Sequence, residues 1–247
     1  MASKNLSNIN YDGLRKKLNA FLDELLIKFY KEVPFSEHLL KSQDINLEYY
    51  KRHNIEIILR LRLKRTIDAL TIHYFTKRDP KLAKIWCQYT DDEMLHDKMF
   101  AKDLEAIGVV RDEIYNTDPM FSTKLLQGYF YYGLEHENRP LASLCSSYFI
   151  EYMSVETQSN WLDNVEKTLG EEKVKGARAH VNHDLEDHHI DFVWNVLKTF
   201  INTEDDAQKV FDHVFNIYKL FAMFYTELYE RIVEKKKDIN LSFNEFV

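Results

Sequence analysis

The sequence predicts an all-α fold, built as a single-domain bundle of about seven helices. Only six Gly and four Pro occur in 247 residues, so long stretches contain no residue that would end a helix. Apolar residues recur at helical spacing in every long segment. No repeat, linker or low-complexity segment divides the chain, which is long enough to bury one large core. We therefore expect one domain over residues 1–247, with its core at about 11–236 and polar termini.

Each element follows from an apolar stripe and from the residues that flank it. Seven helices are predicted, at about 11–32, 46–77, 80–107, 122–136, 140–169, 171–201 and 203–236. Pro80 and Pro140 suit helix starts, because a proline in the first turn sacrifices no hydrogen bond. Gly108 and Gly170 suit helix ends, and Thr203 suits an N-cap before acidic first-turn residues.

Composition excludes several classes of partner. The net charge of −7 and the pI near 5.8 argue against a nucleic-acid-binding surface. No run of 18 apolar residues is present, so we expect no membrane span, and the polar start of the chain shows no signal peptide. Cys87 and Cys145 are too few for a disulfide framework and fit a reducing cytoplasm. We expect a cytoplasmic protein that acts on a small molecule; its oligomeric state stays open, with a homodimer as one option.

The segment from His180 to Asp191 carries the strongest chemical signal. It holds four of the ten histidines and four carboxylates within twelve residues. No Gly or Pro interrupts it, so one helix is predicted, with His180, Asp184 and His188 on one face and Asp187 close by. Imidazole and carboxylate groups at this spacing suit iron, manganese or zinc. A solvated acidic face is the simpler explanation for this helix taken alone.

Two further helices offer matching groups. Glu93 and His96 are at i and i+3, so both can reach one metal ion from one helix face. Glu151 lies in the middle of an apolar heptad stripe, where a buried carboxylate needs a cation, a partner or a proton. Glu156, on a neighbouring stripe, is the reserve candidate. Ordinary salt bridges would explain each group separately, but three helices together favour a two-metal site.

The six ligands that the sequence provides for such a site are Glu93, His96, Glu151, His180, Asp184 and His188. A ferritin-like pattern is the main alternative, with Glu93-x2-His96 and Glu186-x2-His189 as its ligand pairs. That pattern would turn the opposite face of the His180 helix inward. A third option is a metal-free pocket with Cys87 or Cys145 as a nucleophile.

The run from His96 to Gly108, His-Asp-Lys-Met-Phe-Ala-Lys-Asp-Leu-Glu-Ala-Ile-Gly, resembles a segment of the haem-oxygenase-like diiron oxidases and oxygenases. That family shares its fold with thiaminase II and pyrroloquinoline quinone synthase. Glu151 follows about 55 residues later, and His180 and Asp184 about 30 after that, as in the family. The resemblance covers residues 15–232. The family often shows the pattern H-x3-D-x2-H, but this chain has Asp187 where the last His of the pattern would lie, and His188 follows it. The final ligand is therefore either His188 or Asp187.

The resemblance implies two Fe(II) ions, with O2 as co-substrate. Glu93 is the first choice for the carboxylate that completes the first iron site, with Asp92 and Asp68 behind it. Glu93 and Glu151 are also the residues that we expect to act in catalysis.

The implied function is an O2-dependent nonhaem diiron oxidase or oxygenase of specialised metabolism. Its substrate would be a small amine or amino acid, which undergoes N-oxygenation, C–C cleavage or conversion of an aromatic amino acid to a nitrile. The alternatives are a fatty-acid oxidative decarboxylase of the same family and a ferritin-like iron oxidase. No Gly-rich dinucleotide fingerprint is present, so electrons are expected from an external donor or from the substrate itself.

Overall fold

The computed structural model describes residues 9–186 and 188–235, apart from the side chains of residues 184–186. Within those ranges the regular elements are helices, which confirms the all-α prediction. In chain order they are α1 (Tyr11–Glu32), α2 (His38–Lys41), α3 (Leu47–Thr76), α4 (Pro80–Glu93), α5 (His96–Ala106), α6 (Arg111–Asn116), α7 (Phe121–Glu135), α8 (Leu141–Leu169), α9 (Lys175–Glu186), α10 (His189–Leu197) and α11 (Glu204–Ile232). Short 3-10 turns, Glu171–Lys173 and Lys198–Phe200, follow α8 and α10.

Side-chain caps set the starts of several helices where the sequence predicts them. The Asn46 side chain caps α3, and the Asp79 carboxylate caps α4, with Pro80 at its first position. Thr203 and Asp206 form a reciprocal capping box at the start of α11. These caps satisfy backbone N–H groups that have no partner within the helix.

Helices α3 and α8 connect the two halves of the core. Helix α3 packs against α4, α5 and α7, while α8 packs against α9, α10 and α11. The larger apolar cluster gathers around α1, α4, α7 and α10, and the second gathers around α5, α6 and α9; α3 and α8 contribute to both. Each of these two helices lines a cavity along the part that lies between the two clusters, at about residues 60–64 of α3 and 153–161 of α8.

The predicted bundle is confirmed, but its helix count is too low. The described part of the chain has eleven α-helices rather than about seven. Two of the additional helices are the short α2 and α6, the latter lying in the predicted connection 109–121. The other two arise because the predicted helices 80–107 and 171–201 are each interrupted once.

The two interruptions carry neither Gly nor Pro, which is why the sequence did not reveal them. The first separates α4 from α5 at Met94 and Leu95, whose side chains are partly exposed. The second separates α9 from α10, and there His188 takes the left-handed conformation, with φ 52°. The prediction of one continuous helix from His180 to Asp191 is therefore wrong. Both breaks lie directly beside residues that enter the candidate site.

None of the helices in the described ranges is both long enough and apolar enough to cross a membrane.

Candidate metal centre

The candidate metal centre is formed largely by residues at helix ends. Glu93 is the last residue of α4, and His96 is the first residue of α5. His189 is the first residue of α10, His180 lies within α9, and Glu151 lies in the middle of α8. The breaks in the chain therefore let residues that are close in sequence approach the centre from different directions.

The first group of ligand atoms belongs to Glu93, His96 and His180. His96 Nδ1 lies 3.4 Å from Glu93 Oε1, and the rings of His96 and His180 are 4.3 Å apart in an edge-to-face arrangement. One donor atom from each residue lies within 4.8 Å of the other two. Both imidazoles are buried, and Glu93 is almost so. This is the spacing that a single metal ion would require.

The second group consists of Glu93, Glu151 and His189. His189 Nδ1 lies 3.4 Å from Glu93 Oε1 and 3.8 Å from Glu151 Oε1. These donor atoms also lie within 4.8 Å of one another. Glu93 Oε1 thus faces histidine nitrogens of both groups. A carboxylate placed between two sets of ligands is suited to bridge two metal ions.

Burial and close charges shift the protonation equilibria of these groups. Burial alone would raise the pKa of Glu93, but its close contacts with the imidazoles of His189 and His96 outweigh burial and lower the pKa. Burial, followed by repulsion from Glu93, raises the pKa of Glu151 to about 7. Burial, followed by repulsion from His96, lowers the pKa of His180 to about 4. The imidazole of His180 is therefore neutral at physiological pH, as a metal ligand must be.

A second set of side chains orients the carboxylates. The Tyr89 hydroxyl donates to Glu151 Oε1 at 2.8 Å, and burial raises the pKa of Tyr89 well above its ordinary value. The reserve candidate Asp68 is buried beside the centre but outside both groups. It accepts hydrogen bonds from Lys64 Nζ at 2.6 Å and from Trp86 Nε1 at 3.3 Å. Asp68 is thus neutralised by a lysine instead of facing the groups directly.

The structure brings together four of the six predicted ligands, namely Glu93, His96, Glu151 and His180. It does not bring His188 to them, because its side chain is exposed at the start of α10. Glu156 is exposed on α8 and faces away from the groups. The side chain of Asp184 and the whole of Asp187 lie outside the described residues.

His189 is the group residue that the six-ligand set missed. A continuous helix would place it on the face opposite His180, and the break between α9 and α10 removes that constraint. The only signal for it was the Glu186-x2-His189 pair of the ferritin-like alternative. His183 is also close, with its ring 5.7 Å from that of His96 and 5.9 Å from that of His189.

The donor set fits iron. It combines imidazole nitrogens with carboxylate oxygens, which non-haem iron accepts readily. His96 Nδ1 is buried without a hydrogen-bond partner among the described residues, and it faces the carboxylate that both groups share. A cation between these atoms would satisfy them.

The centre opens into a cavity of about 240 Å³. Glu93, Glu151 and His180 line it at one end, and side chains of α3, α8 and α11 form much of the remainder. Neither cysteine is among its lining residues; Cys145 is buried elsewhere, where burial raises the pKa of its thiol, and Cys87 is exposed. The described residues therefore give no support to a cysteine nucleophile in this cavity.

Comparisons with known proteins agree with this fold and place the chain in an iron-containing family. A crystal structure described as a domain of unknown function with a heme oxygenase-like fold, from Shewanella denitrificans, superposes with a TM-score of 0.73. It is 20% identical to this chain, and the match covers 91% of this chain and 94% of that one. No curated protein matches the sequence. The sequence model for the family described as iron-containing redox enzymes matches residues 71–222, more than half of the chain and all of the residues in the two groups. The chain therefore belongs to the family of iron-containing redox enzymes and has a haem-oxygenase-like fold.

Proposed function

We propose that this protein is an O2-dependent nonhaem diiron oxidase that acts on a small amine or amino acid. The observation that supports this proposal most directly is the position of Glu93. One carboxylate shared by two groups of buried ligand atoms is the arrangement that a pair of bridged metal ions requires. A single mononuclear site would leave Glu151 and His189 without a purpose at the centre.

In this proposal each iron ion has its own ligands in addition to Glu93. His96 and His180 would hold one ion, and Glu151 and His189 would hold the other. His189 thereby replaces the sequence-predicted His188, whose exposed position makes it a poor ligand. Asp184 stays a predicted ligand, since its side chain is outside the described residues.

When bound, iron supplies the capacity to bind and reduce O2. The chain positions the ligands of the iron and keeps water away from it. Tyr89 holds Glu151 in place by its hydrogen bond, and the Lys64 ammonium offsets the charge of Asp68 beside the centre. Apolar and aromatic cavity walls exclude water from the reacting groups, which strengthens every charge interaction inside. Electrons come from an external donor or from the substrate.

The structure favours an oxidase over an iron store of the ferritin type. The centre adjoins a cavity that can admit a small molecule, and iron storage needs no such space. His189 was the residue that distinguished the ferritin-like pattern, yet the helix break brings it to the centre within a haem-oxygenase-like fold. Its presence in the centre is thus no argument for ferritin-like function.

The proposal is tested by anaerobic loading with Fe(II), followed by O2 addition under optical spectroscopy. Wild-type protein should bind about two Fe(II) per chain and should consume O2 faster with a suitable amine or amino acid than alone. Glu93→Gln should lose tight binding of both ions, because it removes the shared carboxylate. Asp92→Asn, an exposed neighbour, is the matched control and should bind iron normally.

Two outcomes would contradict the proposal. Wild-type protein that binds no more than one Fe(II) per chain would exclude a diiron centre. Full iron loading of Glu93→Gln would show that the shared carboxylate is not a ligand. If O2 uptake responds to a fatty acid but to no amine or amino acid, the iron chemistry stands and the substrate class is that of a fatty-acid oxidative decarboxylase.

A further inference from the structure

Arg60 is a partly buried cation that forms no ion pair with the described residues. It lines the cavity from α3, and its guanidinium lies 4.2 Å from the ring centroid of Phe224 and 5.3 Å from that of Phe221. Its Nη1 is inaccessible to solvent and has no hydrogen-bond partner among the described residues. Burial lowers the pKa of Arg60, which reflects the cost of removing the guanidinium from water.

The nearest candidate for a counter-charge is already occupied elsewhere. Glu56, one turn before Arg60 on α3, is fully buried and pairs with Arg52. Its two oxygens also accept from the Met120 backbone N–H and from the Thr123 hydroxyl. Arg60 forms no ion pair with any described carboxylate, so a negative charge from outside the chain would complete it.

The charges in the cavity are separated along α3. Among the described residues, the carboxylates that line it are Asp68, Glu93 and Glu151, which belong to the metal end or lie beside it. Arg60 precedes Asp68 by eight residues, or about 12 Å along the helix axis at ~1.5 Å per residue. Lys64 lies between the two and is paired with Asp68, so it is not available to an anion in the way that Arg60 is.

Further polar groups line the cavity beyond Arg60, away from the metal end. The Tyr49 hydroxyl is buried without a hydrogen-bond partner among the described residues, and it lines the same cavity. The Tyr49 ring stacks on His53 at 6.5 Å, and His53 Nε2 lies 3.1 Å from the Tyr225 hydroxyl. A cation packed against two aromatic rings in a cavity, with hydroxyl groups beyond it, is well suited to bind a carboxylate at the end of an apolar molecule.

We propose that Arg60 binds the carboxylate of the substrate, and that the substrate is an acid with an apolar body whose far end reaches the metal centre. This inference rests on the proposed function for the role of the metal end. The cavity volume of about 240 Å³ equals about eight water volumes of ~30 Å³, so an acid with on the order of ten non-hydrogen atoms would fit. For an amino acid, oxidation would then occur far from the carboxylate. An amine at the far end would meet the carboxylates of that end.

The test uses calorimetric binding of octanoate and octan-1-ol to the metal-free 247-residue protein. Octanoate should bind about 10- to 100-fold more tightly than octan-1-ol, which is the usual range for hydrogen bonds to a charged partner. Arg60→Gln should abolish this preference. Arg62→Gln, which removes an exposed arginine two residues away on the same helix, is the matched control and should retain it.

A second variant separates binding from folding. Arg60→Met fills a similar volume without a buried charge, so its melting temperature should equal or exceed that of the wild type, while the preference for octanoate is lost. Equal affinities of the wild type for octanoate and octan-1-ol would overturn the inference, as would a preference that survives in Arg60→Gln. Should neither Arg60 variant fold, the comparison of octanoate with octan-1-ol in the wild type still decides whether the cavity binds a carboxylate.

The outcome is distinguishable from that of the proposed function, because octanoate binding requires neither iron nor O2. If the binding test shows no carboxylate site at Arg60, the proposal of diiron oxidation is unaffected. Octanoate binding through Arg60, without O2 uptake by the iron-loaded protein, would keep the site and reject the oxidase.

Discussion

Gly176→Ala should damage the centre from a distance by forcing α9 away from α5. Gly176 is buried near the start of α9, one helical turn before His180 and on the same face. Its backbone N–H donates to Asp103 of α5 at 2.7 Å. A methyl group at Gly176 would overlap the Met99 carbonyl oxygen and would lie 2.6 Å from the Met99 carbonyl carbon. Met99 in turn is one turn after His96 on α5.

The size of the effect follows from these contacts. Carbon atoms in contact are ordinarily ~3.5 Å apart or more, and the carbonyl oxygen would lie closer than the carbon, so α9 must move by at least about 0.9 Å. The obstacle is backbone, which cannot rotate away. Overpacking of this kind costs about 1–3 kcal/mol, from which the better helix propensity of Ala recovers about 1 kcal/mol. At ~2–4 °C per kcal/mol for a chain of this size, the melting temperature should fall by up to about 8 °C.

The effect on iron should exceed the effect on stability. The same shift would separate His180 from His96, whose rings are 4.3 Å apart. A displacement of ~1 Å at a functional site can cost about 100-fold. Competitive titration of Fe(II) against a chelator measures this loss, and circular dichroism measures the melting temperature.

Gly128→Ala is the matched control. Gly128 lies in α7, and nothing lies within 4 Å of an added Cβ. That variant should keep wild-type iron affinity and gain about 1 kcal/mol from helix propensity. If Gly176→Ala melts at the temperature of Gly128→Ala and binds iron as tightly, the close approach of α9 to α5 does not position the centre.

Three further predictions concern single side chains. His189→Ala should lower iron stoichiometry, whereas His188→Ala should not, because only His189 is buried in the centre; equal losses would contradict this placement. Burial lowers the pKa of His53 to about 3, so its unfolded form binds a proton as the pH falls below its ordinary value of 6.5 and its folded form does not. Between pH 7 and 5 this difference should remove about 2 kcal/mol from the free energy of unfolding. Urea titrations at the two pH values should show that His53→Asn lacks this loss, whereas the variant of an exposed histidine, His136→Asn, retains it. Asp103→Ala should lower the melting temperature by leaving two backbone N–H groups of α9 without acceptors; an unchanged value would show that water replaces the carboxylate.

Much of the fold could be predicted from the sequence, because the determining signals are local. The predicted helix at 11–32 coincides with α1, and those at 46–77 and 140–169 match α3 and α8 to within a residue. Each stripe, cap and proline lies within the element that it defines. The missed helix breaks depend on packing between elements that are distant in sequence. Asp103 of α5, for example, accepts from the first turn of α9 at 2.7 and 2.8 Å.

The candidate site was predictable in part for the same reason. Glu151 was singled out because a carboxylate within an apolar stripe is anomalous on its own helix. His188 was preferred to His189 because helix periodicity was extended across a break. The role proposed for Arg60 could not be predicted from the sequence, because its lack of an ion pair among the described residues emerges only when Arg52 is seen to pair with Glu56.

Because of the break between α9 and α10, a ligand's position in the centre is not fixed by its position in the sequence. Within one rigid helix, moving a ligand by one residue turns it by ~100°, so function would fix the spacing. A joint between two helices relaxes that constraint, because the second helix can turn as a body and present a different residue. Insertions and deletions at this joint could therefore exchange one ligand for another during evolution without rebuilding the bundle. Motif searches based on fixed spacing would assign such chains to separate groups, although their side chains reach the same point.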